Sequence, residues 1–322
     1  MEGKVLNPNK TDSAELIDRL SVNSAPHLKS NESVQRIMLD VIIAMVPAMI
    51  GSIFFFKLSA LKLILVSVIS ALVFEAGIQK LFKKDIRISD LSAVVTGILL
   101  AFNLPANAPW WVAVFGAGFA IIIVKECFGG IGSNFMNPAL AARAALVASW
   151  PAIMSNYDVP GIISGATPLA IMKNGGGSLP GIMDMLIGKI GGSLGETSAI
   201  LLLIGAIYLI VRKVIDWKIP AFYIATTCIM LLILGVDPSK LVYHVFGGGL
   251  ILGAFFMATD YTSSPVTPIG RIIFGIGCGV LTALIRVKGG MPEGVSYSIL
   301  LMNVAAPLIE KFTKPKAFGE VK

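Results

Sequence analysis

The sequence predicts an all-α integral membrane protein with about ten transmembrane helices in two inverted five-helix repeats. The first observation is composition: 55% of the 322 residues are hydrophobic and 14% are charged, against about 25% charged in a typical soluble domain. The second is a mean hydropathy of +0.82, and the third is a pair of similar stretches half a chain apart. The net charge of +7 then reflects unequal placement of basic residues across a bilayer, and we expect no nucleic-acid partner.

Ten apolar segments have the length of membrane spans. We expect helices, because a helix satisfies its own backbone hydrogen bonds in lipid and these segments lack the alternation of barrel strands. The predicted spans cover residues 38–56, 61–79, 91–105, 110–128, 138–152, 196–212, 219–236, 241–258, 269–286 and 294–310.

Basic residues predict the orientation of these spans. With a cytoplasmic N-terminus, 18 of the 26 lysines and arginines lie in cytoplasmic segments, 7 lie on the opposite side, and Arg143 lies within a span. This excess places both termini in the cytoplasm. Four tryptophans at predicted span ends are typical of an aromatic belt: Trp110, Trp111, Trp150 and Trp217.

The predicted organisation follows from the spans and their orientation. It comprises a cytoplasmic N-terminal segment 1–36, a first membrane half 37–152, an extracytoplasmic linker 153–195, a second membrane half 196–312 and a cytoplasmic tail 313–322.

An internal duplication relates Gly97–Gly130 to Gly253–Gly290. In each stretch an apolar run ends in a polar segment containing proline, and a glycine-rich span and a Gly-Gly pair follow. Each half has five spans, so the second copy enters the membrane from the opposite side. The apolar runs end at Asn103 and Asp260. Such interrupted segments at matching places indicate broken helices around a central site; ordinary polar turns are the alternative.

The linker contains Ser164, Gly165, Ala166 and Thr167 in succession. No histidine lies within seventy residues of Thr167, so a local Ser–His type of hydrolase nucleophile is not favoured. The four residues resemble the signature at which a flavin transferase joins FMN to a threonine through a phosphoester. The threonyl hydroxyl takes the phosphate, and the small neighbours leave room for it.

Three further motifs occur in the order of one known family. They lie at Gly130–Leu140, which includes Asn134 and Asn137, at Gly195–Ala199, and at Met257–Gly270. Together with the linker motif they resemble the D subunit of the Rnf complex, and they are similar to the B subunit of the sodium-pumping NADH:quinone reductase.

This resemblance implies a urea-transporter-like fold in the inner (plasma) membrane, with FMN bound covalently to Thr167 in the extracytoplasmic linker. It implies a second flavin, riboflavin or another noncovalent one. The chain would relay electrons, without being catalytic alone, in a complex that oxidises ferredoxin, reduces NAD and exports sodium or protons. Its partners would be the lipid bilayer and other membrane and peripheral subunits, among them a second covalent-flavin subunit and iron–sulfur subunits.

Polar residues inside the apolar segments are further candidates for cofactor binding. Asn134 and Asn137 belong to one of the shared motifs. Arg143 could hold a flavin carbonyl, a flavin phosphate or an anionic flavin; the alternative is that it reaches the interface or pairs with Glu126. Asp260 could bind a cation or a flavin ring nitrogen, and a cap for the next helix is the alternative.

For two glutamates we favour a structural role over a functional one. Glu196 follows Ser193 at the spacing of a capping box, which predicts a cap at the start of the sixth span. Glu75 is a candidate for ion transfer, but its position near Lys80 favours an ion pair at the end of a helix.

Two other classes of function are also compatible with the sequence. One is a secondary transporter or channel of the same fold, and the other is a structural membrane anchor for redox partners. A B-type subunit of the quinone reductase is the alternative within the redox class.

Overall fold

The computed structural model describes residues 33–157, 167–174, 179–188, 190–196 and 198–314. The predicted N-terminal segment and C-terminal tail lie almost entirely outside these ranges. Ser164, Gly165 and Ala166 of the linker motif also lie outside the described residues. In the described part of the chain every element of more than one residue is helical, and the only extended pairing is an isolated bridge between Pro105 and Ser193. The all-α prediction is therefore confirmed for these residues.

The α-helices are numbered in chain order. They are α1 (Val34–Leu81), α2 (Ser92–Phe102), α3 (Trp110–Gly118), α4 (Pro138–Ser149), α5 (Pro151–Met154), α6 (Pro168–Asn174), α7 (Ile182–Ile187), α8 (Ala199–Val211), α9 (Lys218–Ile233), α10 (Leu241–Phe246), α11 (Leu250–Leu252), α12 (Pro268–Lys288) and α13 (Val295–Thr313). Two of them continue as π-helices, α3 through Phe119–Lys125 and α11 through Gly253–Met257.

Several of these helices can cross a membrane. Four are long and apolar enough by themselves, and a fifth span is formed if Pro238–Phe246 and Leu250–Met257, bent by 61°, are one unit. Four shorter helices, α2, α4, α8 and α9, are also apolar. The chain is thus a multi-pass membrane protein.

The longest helix, α1, contains two predicted spans. Its 48 residues would extend about 72 Å at 1.5 Å per residue, more than twice the hydrocarbon thickness of about 30 Å. Lys57 interrupts it with a φ of 53° and a ψ of −131°. This break lies between the predicted spans 38–56 and 61–79, so α1 consists of two membrane-length arms.

Helix α2 is too short to span a bilayer, since 11 residues extend only about 16 Å. It ends at Phe102, and Asn103 and Leu104 continue as buried irregular chain. The amide of Leu194 donates to the carbonyl oxygen of Leu104 at 3.0 Å. A segment just before α8 therefore supplies a backbone hydrogen bond that the interrupted helix lacks.

A second interruption falls at 247–249, between α10 and α11. Gly248 and Gly249 have φ values of 64° and 66°, which favour glycine over residues with a Cβ atom. The prediction of one continuous span over 241–258 missed this break, although the Gly-Gly-Gly run was its signal. The polar segment after Met257 forms the connection to α12, as the duplication predicts.

Glycines permit the closest helix contacts. A Cβ atom at Gly205 of α8 would overlap the carbonyl oxygen of Ala44 in α1, and one at Gly279 of α12 would lie 2.8 Å from the carbonyl oxygen of Tyr223 in α9. Close packing through small residues is the usual means of helix association in membranes. Gly275 of α12 packs against the backbone of α9 in the same way as Gly279.

The four tryptophans lie at helix ends, where the sequence placed them. Trp110 and Trp111 begin α3, Trp150 follows α4, and Trp217 precedes α9. The rings of Trp111 and Trp150 are in edge contact at 5.1 Å between centroids.

We predict that Gly205→Ala destabilises the protein by about 1–3 kcal/mol, because the added methyl group must displace the backbone of α1. Gly77→Ala is the matched control, since a Cβ atom at Gly77 meets nothing within 4 Å and alanine is the better helix former. The measurement is the melting temperature of each variant in detergent. Equal melting temperatures would contradict the close contact between α8 and α1.

Candidate functional site

Arg143 of α4 is the centre of a buried ionic cluster. Its guanidinium forms ion pairs with Glu293 and, at 3.5 Å, with Glu196, and it donates to the Oδ1 atom of Asn103 at 2.6 Å. The Arg143 side chain is 9% exposed, so its guanidinium is enclosed by the protein. The alternative pairing with Glu126 is wrong, because Glu126 contacts Gln79 and Lys84 instead. Four separate segments, each far apart in sequence, are held together at this point.

Tyr157 extends the cluster beyond α5. Its hydroxyl donates to Glu293 at 3.2 Å. Burial, and then the negative charge of Glu293, raise the pKa of the Tyr157 phenol well above its usual range. The phenol therefore remains a hydrogen-bond donor at every physiological pH.

The predicted capping role of Glu196 is wrong. Helix α8 begins at Ala199, and its N-cap is Ser198, whose hydroxyl accepts from the amide of Leu201 at 3.4 Å. Glu196 lies too early in the chain to cap this helix, and its carboxylate faces Arg143 instead. The buried guanidinium is the stronger partner because an unpaired charge in an apolar interior is costly.

Thr167 immediately precedes α6, next to a segment outside the described residues. Its side chain is buried, and its Oγ1 atom accepts a hydrogen bond from the amide of Ala170 at 3.2 Å. Two residues later, Leu169 packs against Gly247 and Gly248. The helix that begins just after Thr167 therefore lies against the break between α10 and α11.

A cavity of about 300 Å³ lies beside this contact, between α6, α10 and α12. We call it the α6 cavity. The residues that line it include Leu169, Lys173, Asp237, Lys240, His244 and Arg286. Asp237 is paired with Lys240 at 3.4 Å, so the lining has an excess of positive charge.

Arg286 stabilises the break next to the cavity. Its guanidinium donates to the carbonyl oxygens of His244, Gly247 and Gly248. These carbonyl groups lie where α10 ends, so they have no helical amide to accept from. Arg286 is buried at 4% exposure, and the bent conformation at 247–249 depends on it.

The loop between α12 and α13 connects the α6 cavity to the ionic cluster. The Nζ atom of Lys173 donates to the carbonyl oxygens of Gly289 and, at 2.8 Å, Met291. Desolvation lowers the pKa of the Lys173 ammonium group from its ordinary value. Glu293 of the same loop binds Arg143. The helix that follows Thr167 and the Arg143 cluster are thus both fixed to residues 289–293.

Asn134, Asn137 and Asp260 line a different cavity, which we call the α4 cavity. Asn134 donates to the hydroxyl of Thr262 at 2.7 Å, and Asp260 accepts from the hydroxyls of Thr262 and Ser263 at 2.9 Å. The carboxylate of Asp260 therefore holds the turn that follows Met257. It does not cap the next helix, because the N-cap of α12 is Thr267.

Asn137 has a local structural role in the same wall. Its Oδ1 atom caps α4 by accepting from the amides of Ala139 and Leu140, and its Nδ2 atom donates to the carbonyl oxygen of Met257 at 3.3 Å.

The predicted site residues thus fall into two places. Thr167 and Arg143 belong to the region joined by 289–293, whereas Asn134, Asn137 and Asp260 lie together at the α4 cavity.

Glu75 pairs with Lys125, at 2.6 Å, across two helices. Glu75 therefore forms an ion pair, as the sequence favours, but its partner is Lys125 of another helix and not the neighbouring Lys80. Lys125 also donates to Ser92 at 2.6 Å, and Gln79 bridges Glu75 and Glu126. This polar cluster fixes the π-helical end of α3 against α1 and α2.

We predict that Arg143→Gln destabilises the protein by about 3–5 kcal/mol, because it leaves Glu196 and Glu293 buried without their cation. Lys240→Gln serves as the control: it removes an exposed ion pair, with an expected cost below about 1 kcal/mol. Thermal unfolding of the purified variants in detergent compares the two. A loss for Arg143→Gln no larger than that of the control would show that the cluster does not hold the fold together.

Comparison with known proteins identifies the family. The profile of the NQR2, RnfD, RnfE family matches residues 21–319. The chain is 54% identical to the D subunit of the Na⁺-translocating ferredoxin:NAD⁺ oxidoreductase complex of Acetobacterium woodii, over 94% of this chain and 96% of that protein.

Two further relatives have comparable coverage. The D subunit of the proton-translocating ferredoxin:NAD⁺ oxidoreductase complex of Clostridium ljungdahlii is 43% identical over 93% of this chain and 96% of its own length. The D subunit of the ion-translocating oxidoreductase complex of Halorhodospira halophila is 33% identical over 93% of this chain and 95% of its own length. The resemblance to Rnf D subunits predicted from the motifs is confirmed, and the chain belongs to the NQR2, RnfD, RnfE family.

Proposed function

We propose that this chain is the membrane-embedded D subunit of an ion-translocating ferredoxin:NAD oxidoreductase complex and that it relays electrons through FMN bound covalently to Thr167. The observation that carries the proposal is the position of Thr167, at the start of a helix packed against the glycine break and next to a cationic cavity. The names of the D subunits that resemble this chain support the same function.

The residues around Thr167 fit such a group. A phosphoester oxygen remains a hydrogen-bond acceptor, so the contact from the Ala170 amide is compatible with the modification. The excess positive charge of the α6 cavity suits a phosphate or an anionic flavin. A bound flavin would supply the ability to accept and donate single electrons, while the protein holds the ring and sets the surrounding charge.

Ser164, Gly165 and Ala166 complete the attachment motif in this proposal, by the same resemblance to the flavin-transferase signature. Arg143 has partners for both of its terminal nitrogens. Its contribution would be to fix the loop at 289–293, and through it the position of Lys173.

The arrangement in the membrane is also part of the proposal. We infer two inverted halves of five spans each, in a urea-transporter-like fold, with the Thr167 linker outside the inner membrane and both termini in the cytoplasm. The distribution of lysine and arginine supports this orientation. The irregular segments 103–109 and 258–267, which occupy matching places in the two similar stretches, support broken helices around a central site.

A second, noncovalent flavin would bind at the α4 cavity. Amide and carboxylate groups from Asn134, Asn137 and Asp260 line one side, and Phe255 and Leu99 contribute apolar surface. This combination of a mainly apolar pocket with a few polar groups is typical of cofactor sites. The free space is small, about 90 Å³, so the ring would enter only after side chains such as Phe255 move.

In this function the electrons come from ferredoxin and reach NAD through other subunits, including a second covalent-flavin subunit and iron–sulfur subunits. Electron transfer would be coupled to export of sodium or protons, and the relatives named above include one of each kind. The coupling requires that reduced and oxidised flavin interact differently with two conformations of the protein.

We predict that Thr167→Val abolishes covalent flavin fluorescence on a denaturing gel when the chain is expressed with a flavin transferase, because valine has no hydroxyl to esterify. Thr227→Val, which removes another buried threonyl hydroxyl, is the control and should stay fluorescent. The mass of the peptide containing Thr167 should exceed its sequence mass by FMN less one water. An unmodified wild-type peptide would contradict the proposal and favour a transporter or a structural anchor.

We also predict that acid denaturation of the wild-type complex releases a flavin that is not covalently bound. Asn134→Leu, which removes a hydrogen-bonding group from the α4 cavity, should reduce the amount released per covalent flavin. Chromatography of the supernatant measures the released flavin, and gel fluorescence measures the covalent flavin. Wild-type protein that releases no flavin would rule out this second site.

A further inference from the structure

The Arg143 cluster contains one carboxylate more than its cation can balance. Arg143 lies within ion-pair distance of both Glu196 and Glu293, whereas Asn103 and Tyr157 contribute only an uncharged amide and phenol. Among the described residues no other cation lies within ion-pair distance of either carboxylate. Enclosing an anion without a counter-charge is so unfavourable that such groups usually bind a proton instead.

The contacts indicate which carboxylate takes the proton. Glu293 accepts hydrogen bonds from Arg143 and, at 3.2 Å, from the Tyr157 hydroxyl, and two donors stabilise an ionised carboxylate. Glu196 receives a longer contact of 3.5 Å from the Nη1 atom of Arg143, which bonds Asn103 at 2.6 Å. The Glu196 side chain is also less exposed, at 4% against 18% for Glu293. Glu196 is therefore the site of the proton.

An unpartnered hydroxyl group beside Glu196 points independently to the same conclusion. Ser193 is fully buried and its hydroxyl faces the Glu196 carboxylate, yet within the described ranges its Oγ atom has no hydrogen-bond partner. Buried hydroxyl groups nearly always have a partner. A protonated carboxyl group has a donor that can bond the Ser193 oxygen, while its carbonyl oxygen still accepts from Arg143. A proton, unlike a larger ligand, requires no cavity.

Arg286 is the other cation near Glu196, on the far side of the glycine break. A Cβ atom at Gly249 would lie 2.7 Å from the Oε1 atom of Glu196, and one at Gly248 would lie 3.1 Å from the Nη2 atom of Arg286. Arg286 binds backbone carbonyl oxygens and is beyond ion-pair distance of Glu196. Because the Coulomb energy falls with distance, Arg286 opposes protonation of Glu196 less than Arg143 does.

We propose that the Arg143 cluster is a proton-binding site in which Glu196 holds an exchangeable proton and Glu293 stays ionised. The role of this proton in ion export rests on the proposed function, whereas its binding does not require the flavin. Glu293, the more exposed carboxylate, lies on the side that the proposed orientation places outside the membrane, so the proton exchanges with that side. The protonated and ionised clusters hold the turn before α8 to α4 with different strength, which is a difference between two states of the kind that coupling requires.

The test is pH-difference infrared spectroscopy of the purified, intact complex, which detects the carbonyl stretch of a protonated carboxyl group. As the pH is raised well above the ordinary glutamate value of about 4.3, the wild type should lose a band equivalent to one such group per chain. Glu196→Gln should lack this change. Glu126→Gln, which alters a buried carboxylate of a different cluster, is the control and should retain it. Identical difference spectra for the wild type and Glu196→Gln would overturn the inference.

Thermal unfolding of the intact complex provides a second measurement. Glutamine resembles a protonated glutamate, so Glu196→Gln should melt near the wild-type temperature at neutral pH, whereas Glu293→Gln removes the anion of Arg143 and should melt lower. The unfolded chain ionises its glutamates above a pH of about 4.3, while folded Glu196 keeps its proton. The wild type should therefore lose stability relative to Glu196→Gln as the pH rises, by up to about tenfold in the unfolding equilibrium constant per pH unit.

An equal loss of stability in the two glutamate variants would show that both carboxylates are ionised and would overturn the inference. These variants leave Thr167 unchanged, so gel fluorescence reports on the proposed function separately. Covalent flavin without the carboxyl band would overturn only the proton site. The band in a wild-type protein that has no covalent flavin would overturn only the proposed function.

Discussion

The ion pairs of Arg143 with Glu196 and Glu293 are the interaction on which the arrangement of the site depends. In an apolar interior a guanidinium must find anions within reach, and here these come from the turn before α8 and the loop before α13. Asn103, at the end of the short helix α2, accepts a hydrogen bond from Arg143 and so belongs to the same cluster. One cationic side chain thus determines where three segments meet, although none of them lies within a long helix that would fix its position.

The loop at 289–293 transmits this constraint to the helix that follows Thr167. Lys173 binds two of its carbonyl groups and Glu293 binds Arg143. Leu169 of the same helix fills the space over the glycine break that Arg286 stabilises. The helix that follows Thr167 therefore contacts the interruption at 247–249 directly, through Leu169. It is linked to the interruption at Asn103 through the loop 289–293 and Arg143.

The sequence predicted most of the helices because the lengths of apolar segments are a local property. Lys57 separates the first two spans as expected. The partners of Arg143 could not be predicted in this way, because Glu196 and Glu293 lie 53 and 150 residues away and only the folded chain brings them together. Glu196 was misread because the Ser-x-x-Glu spacing is compatible with a cap, and a buried charge outweighs that local preference. The break at 247–249 was missed because the span was predicted from the length of its apolar run, and the three glycines that signal the break do not shorten that run.

The two π-helical stretches give the α4 cavity an unusual wall. Lys125 closes one of them and Phe255 lies within the other, and both residues line this cavity. A π-turn contains one residue more than the α-helical turn it replaces. The side chains that follow each π-helical stretch are therefore rotated by roughly a quarter of a revolution from where an uninterrupted α-helix would place them. This offset determines which groups of these two segments face the cavity.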